Sequence, residues 1–151
     1  MFAQLVVSGL AIGSCYALIA LAMVIIYKTS EVLNFAQGEM AMLSSFVAFT
    51  LLSQYEMPFA AAIILTLAFA LILGSVVELV FLRTAKDPNV LGLIVITLGM
   101  EMILYGLAGW KWGPDQQGFP FPISNIEVYH LGEAAVSKIS VWIFFIAMLI
   151  M

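Results

Sequence analysis

MFAQLVVSGLAIGSCYALIALAMVIIYK, residues 1–28, runs for 27 residues before its first charged side chain, Lys28. About 20 apolar residues, at about 1.5 Å each, cover a hydrocarbon core of roughly 30 Å. A segment this long and this apolar is what a bilayer selects, so the chain starts inside a membrane, with a first span over about residues 2–27. Gly9, Gly13 and Ala17 recur every four residues along it. They place small side chains on one helical face, where a neighbouring helix can approach closely.

A compact polar cluster follows: Asn34-Phe35-Ala36-Gln37-Gly38-Glu39. The continuous apolar part behind it, residues 40–53, covers only about 21 Å as a helix, too little to cross alone. A second span over about residues 34–55 must therefore recruit the polar cluster. Either that cluster is helical and turned inward, or the backbone breaks near Gly38 and the segment is broken or re-entrant. Irregular backbone at membrane depth is tolerated only where protein or a water-filled path satisfies it. Both versions keep Asn34, Gln37 and Glu39 off the lipid.

A third span covers about residues 59–82, with Glu78 in its last turns and Arg83 and Lys86 behind it. Glu78 is either solvated or paired with Arg83. Asp87-Pro88-Asn89 forms a tight connection, because proline disfavours helix at the residue before it. A fourth span covers about residues 90–110 and carries Glu101 near its middle, where a carboxylate costs roughly 2.5–3.5 kcal/mol. Ten Leu, Ile and Val residues between Val90 and Leu107 outweigh that charge. Gly92, Gly99 and Gly106 form a second smooth packing face. Residues 111–139 change to Pro, Gly, Asp, Asn and Gln and read as an external loop, with alternation over residues 126–131 suiting a short strand. A fifth apolar run begins at about residue 140 and reaches residue 151, too short to cross. The expected fold is all-α: a polytopic helical membrane protein with four spans and an incomplete fifth, forming one partial transmembrane domain over residues 1–151. Its shape is that of the front portion of a longer permease-like protein, the alternative being a short natural product.

Composition narrows the function. Hydrophobic residues make up 64% of the chain and charged residues 9%, with a formal net charge of −4, far from the mixture of a soluble domain. No basic run supports nucleic-acid binding. A cleaved signal peptide would need a positive start and a shorter apolar core, so the first span is retained. No phosphate-binding Gly-x-x-x-x-Gly-Lys loop is present, so ATP is not hydrolysed by this chain. No metal-ligand spacing occurs and no cofactor is expected. Cys15 and His130, the one cysteine and the one histidine, lie in different environments and build no nucleophile–base pair.

The short loops orient the spans. Lys28, Arg83 and Lys86 follow the first and third spans, while the connection at residues 54–58 has no Lys or Arg. The positive-inside rule puts the first and third connections in the cytoplasm and the N-terminus outside. Trp110, Trp112 and Trp142 then mark the outer interface.

The stretches GLAIGSCYALIALAMVIIY (residues 9–27) and VLNFAQGEM (residues 32–40) closely resemble the opening of the permease subunits of branched-chain amino acid ABC importers. The Asn-Phe-Ala-x-Gly-Glu signature at Asn34 to Glu39 is the most specific part. ITLG (residues 96–99) and WGPD (residues 112–115) look like the same family's fourth-span region and following outer loop. Gln37 stands where histidine is common in the family and Ala22 where glycine is common. The likeness covers essentially the whole chain but only about the first half of such a subunit. It implies a multi-pass protein of the bacterial inner membrane that forms part of a translocation pathway. Its implied partners are a second permease subunit, two ATP-binding cassette subunits, and a periplasmic or extracellular solute-binding protein that delivers the solute.

Within that reading, Asn34, Gln37, Gly38, Glu39 and Glu101 are the translocation or hinge candidates. The cluster is a hinge or coupling element, a surface feature in which Glu39 pairs with Lys28 or caps a helix at the cytoplasmic surface, or a direct solute contact. Glu101 is a buried, hydrogen-bonded carboxylate that joins helices, or a pathway residue. Three competing functions stay open. One is a permease of the same lineage for urea or short amides. Another is a membrane enzyme using Glu39 and Glu101 as acid and base, and the third is a packing or assembly protein.

Overall fold

The structure, a computed structural model, describes residues 2–85, 89–113, 118, 128–131 and 134–150. Its elements are α1 (Phe2–Ser30), α2 (Gln37–Ser53), α3 (Phe59–Val76), a π-helical continuation (Val77–Leu82), α4 (Val90–Trp112), β1 (Val128–Leu131), β2 (Ala134–Ser137) and α5 (Lys138–Ile150). Three helical segments are long and apolar enough to cross a bilayer: Leu5–Ser30, Phe59–Leu82 and Val90–Trp112. They are apolar on the outside as well as the inside. Leu71 is 73% exposed, Met102 77% and Trp110 86%, a surface that only lipid or further protein can cover.

Residues 26–120 form one compact unit. Five residues join α2 to α3, and Met40 near the start of α2 lies against Gly74 near the end of α3, so this pair is antiparallel. The α2–α4 pair is parallel. Phe35, just ahead of α2, bonds to Thr97, and Thr50 near the end of α2 bonds to Trp112 at the end of α4. Leu43, Val77, Met100, Leu104 and Ala108 close the core between the three helices.

Local chemistry sets the boundaries. Asn89 caps α4, its side chain accepting from the Gly92 N–H at 2.6 Å, which satisfies one orphan donor of the first turn. Gly113 ends α4 at φ 78°, a left-handed conformation that glycine adopts without steric cost. The fourth span accordingly runs to Trp112, two residues beyond its expected end. The fifth helix likewise starts at Lys138, two residues early. In α3 the last turns widen to the π form, with the Arg83 N–H bonded to the Glu78 carbonyl at 3.0 Å.

Residues 1–25 and 121–151 make up a second unit. Within it β1 and β2 pair antiparallel, Val128 opposite Ser137 and Leu131 opposite Ala134. This hairpin lies inside the stretch expected to be an external loop. The expected strand starts at residue 126, but residues 126–127 lie outside the described set, as do Lys86, Asp87 and Pro88.

Candidate functional site

The second span is interrupted, and the interruption lies at residues 31–36, ahead of Gly38. Glu31 takes φ 56° at the end of α1, and its N–H bonds to the Tyr27 carbonyl at 2.8 Å, the single-bond left-handed helix ending. Burial then alternates: Val32 (6%), Asn34 (8%) and Ala36 (0%) point inward, while Leu33 and Phe35 are exposed. The Asn34 Oδ1 accepts from the Ala36 N–H at 3.1 Å, making the turn that launches α2. Gly38 sits in the first helical turn, and Gly113 is the described glycine with positive φ. The break therefore uses the conformations of Glu31 and Asn34 rather than the freedom of Gly38.

Thr97 holds the interruption in place from α4. It is fully buried. Its hydroxyl donates to the Ile94 carbonyl at 2.9 Å and accepts from the Phe35 N–H at 3.3 Å. Sequence reasoning included Thr97 in a motif but gave it no role; a lone hydroxyl in an apolar helix is the only signal it leaves. At the far end of the same helix pair the Trp112 Nε1–H donates to Thr50 Oγ1 at 2.8 Å, and the Trp112 ring stacks on Phe46 at 5.2 Å.

These two ties fix the depth of the cluster. Both join residues 62 apart in sequence, and the same offset places Gln37 level with Gly99 and Glu39 level with Glu101. Residue 101 is the midpoint of α4. The first turn of α2 thus begins about 14 Å in from the start of α4, at 1.5 Å per residue. Glu39 and Glu101 are both half-buried. Among the described residues Glu39 makes no ion pair with Lys28, its Oε2 is buried without a hydrogen-bond partner, and Glu101 makes no side-chain hydrogen bond. Glu78 pairs with Arg83, Nε to Oε1, at 3.3 Å.

A cavity of about 210 Å³ opens against the interruption. Asn34, Met40 and Thr97 line it together with Ile26 and Ser30 of α1 and with Gly74, Val77 and Glu78. At roughly 30 Å³ per water it has room for several molecules. It is lined mostly by apolar side chains, with Ser30, Asn34, Glu78 and Thr97 as its polar groups beside the irregular backbone. The π turn supplies its wall, and such turns recur at functional sites.

The remaining sequence candidates stand elsewhere. Gly92, Gly99 and Gly106 do not carry the α2–α4 contact. That face is Thr97, Met100, Leu104 and Ala108, and Gly99 lies about 200° round from Thr97 at about 100° per residue. Apart from its chain neighbours and its own helix's backbone, no described atom lies within 4 Å of where a Cβ would stand on Gly99, Gly106, Gly9 or Gly13. Ala17 is half-buried on α1. The described residues hold no cluster of three or more potential metal ligands.

The family described as branched-chain amino acid transport system, permease component, matches residues 5–151. The high-affinity branched-chain amino acid transport system permease protein BraD of Pseudomonas aeruginosa is 29% identical, over 99% of this chain and 52% of its own length. LivH of Escherichia coli K12, which bears the same description, is 27% identical over 79% of this chain and 41% of its own length. A probable branched-chain amino acid transport permease protein LivH of Methanocaldococcus jannaschii is 34% identical over 61% of this chain and 30% of its own length. The chain spans about half the length of the curated relatives it matches. No solved structure matches it.

Proposed function

From the premise that the chain belongs to the branched-chain amino acid transport permease family, we propose that it forms part of the translocation pathway of an ABC importer for branched-chain amino acids. The solute arrives from a solute-binding protein outside, passes between this subunit and a second permease subunit, and is driven by two separate ATP-binding subunits in the cytoplasm. The membrane is the bacterial inner membrane, with the N-terminus outside. The shared cavity supports that orientation: Ile26 and Ser30 of α1 line it together with Glu78 and Leu82. The ends carrying Lys28 and Arg83 are therefore on one side, as the positive-inside rule requires.

The observation that carries the proposal is the start of α2 at the level of the α4 midpoint, beside a cavity lined by buried Asn34 and Thr97. Half-helix N-termini at mid-depth are the standard device for receiving an anionic group of a transported solute. The first turn of α2 leaves the Gly38 and Glu39 N–H groups without a described backbone partner, as helix N-termini do. A zwitterionic amino acid brings a carboxylate for those donors.

The test uses Asn34→Ala and Glu39→Gln in the full-length subunit, assembled with its partner subunits. ATP-driven uptake of labelled leucine is expected to fall in both, with membrane insertion unchanged. Wild-type uptake rates in both variants would remove the cluster from the mechanism.

A further inference from the structure

We infer that a groove at the membrane edge of the bundle holds the headgroup of a zwitterionic phospholipid, phosphatidylethanolamine. The groove lies between the end of α1 and the start of α4 and is lined by Tyr27, Lys28, Glu31, Leu33, Val90 and Ile94. It is separate from the cavity at Asn34, sharing no lining residue with it.

Two opposite charges stand in one groove without neutralising each other. The one ion pair among the described residues joins Arg83 to Glu78, so neither Lys28 nor Glu31 is consumed by a described partner. The rest of the lining is apolar, and Val90 is 56% exposed and Leu33 37%. A cation, an anion and an apolar floor at the end of membrane-crossing helices match one ligand chemistry: a phosphate for Lys28, an ammonium with N–H donors for Glu31, and acyl chain for Leu33, Val90 and Ile94. A purely anionic lipid would satisfy Lys28 but set its charge against Glu31. A free branched-chain amino acid would satisfy both charges but cover only part of an apolar floor that Leu33, Val90 and Ile94 share, and it is the competitor the experiment must exclude. The inference needs only that the chain lies in a membrane, and it stands whether or not the transport reading does.

The experiment presents the full-length protein, in its complex, with phosphatidylethanolamine and phosphatidylglycerol of identical acyl chains in equal amounts, and counts retained lipid by native mass spectrometry. The wild type is expected to retain the ethanolamine lipid about tenfold over the glycerol lipid, the factor given by one charge-assisted hydrogen bond. Glu31→Gly and Glu31→Gln are both expected to reverse the order in favour of phosphatidylglycerol, because Lys28 then stands alone. Glycine suits the left-handed backbone at that position better than glutamate does, so Glu31→Gly retains the fold. Lys28→Gln is expected to lower retention of both lipids. Equal retention of the two lipids by the wild type, or an unchanged ratio in Glu31→Gly, overturns the inference. So does displacement of the lipid by free leucine, which would make the groove a solute site.

Discussion

Replacing Thr97 by valine tests how the interrupted span is held. The swap keeps the side chain's shape in a site with no solvent exposure and removes only the hydroxyl. The Ile94 carbonyl loses an extra donor at 2.9 Å but keeps its place in the helical ladder. The Phe35 N–H, now bonded to that hydroxyl at 3.3 Å, belongs to no helix and is left without a partner. A fully buried donor left unmade costs about 1–3 kcal/mol, and that of Phe35 is part-buried. Interhelical hydrogen bonds in membranes average less, about 0.6 and up to about 1.7 kcal/mol, because the separated helices find other partners. A backbone donor inside an interruption has fewer alternatives than a side chain, which places the cost at about 1–2 kcal/mol, or about 5–30-fold in the opening equilibrium. Hydrogen exchange of a peptide covering residues 33–39 reads that opening. Thr97→Val is expected to speed exchange at Phe35 by that factor. Thr97→Ser, which keeps the hydroxyl and loses about one methyl's worth of burial, or 0.8 kcal/mol, is expected to stay within about fourfold. A valine variant exchanging no faster than the serine variant would refute the assignment of Thr97 as the anchor.

Three further predictions concern the rest of the bundle. Trp112→Phe keeps the stack on Phe46 but removes the donor to Thr50; a double-mutant cycle with Thr50→Val, measured by denaturant unfolding in detergent, is expected to give a coupling of about 0.6–1.7 kcal/mol, and a coupling of zero would show that the bond does not tie the helices. At Gly74 an added Cβ would meet Met40 Cε at 3.8 Å, an ordinary contact, so Gly74→Ala is expected to be neutral or stabilising by up to about 1 kcal/mol. Gly74→Leu, which projects into the cavity that Gly74 lines, is expected to insert normally and lose uptake; wild-type uptake in that variant would place the cavity off the solute path.

Hydropathy made α1, α3 and α4 legible, because a bilayer fixes both the length and the composition of a span. The weakness of the second span was legible for the same reason: residues 40–53 cannot cross alone. The exact break was not. Glycine at position 38 is the obvious place to expect one, yet the turn is made by Glu31 in a left-handed conformation and by the Asn34 side chain bonding its own backbone, choices that depend on what Thr97 offers from 62 residues away. Asn34 shows the limit most clearly. Its amide suggests a ligand-facing donor, but its oxygen is taken up by the Ala36 N–H and its nitrogen has a weak contact, 3.9 Å, with Met40 Sδ. From the sequence Glu78 is either solvated or paired with Arg83, because a spacing of five is not that of an α-helical ion pair; the π turn in which the two do pair leaves no mark in hydropathy.

The level alignment of Glu39 and Glu101 sharpens what the first turn of α2 can do. A carboxylate in a first helical turn is favoured by the macrodipole, so Glu39 partly satisfies the positive end of its own helix. That would leave little attraction for an incoming carboxylate if Glu39 were the only acid at this depth. Glu101 of α4 stands at the same level, and an ionised pair there would favour the positive end of a solute over the negative one. The donors that remain for a solute carboxylate are the Gly38 and Glu39 N–H groups of the first turn, since those of Phe35, Ala36 and Gln37 are already bonded. On the proposed function, an amino acid here would be held by opposing ends: ammonium toward the two glutamate side chains, carboxylate toward the Gly38 and Glu39 N–H groups. Urea and short amides carry neither charge and would meet the same groups through hydrogen bonds lacking one of the two charges, the weaker kind, which is the physical ground for proposing a zwitterionic solute.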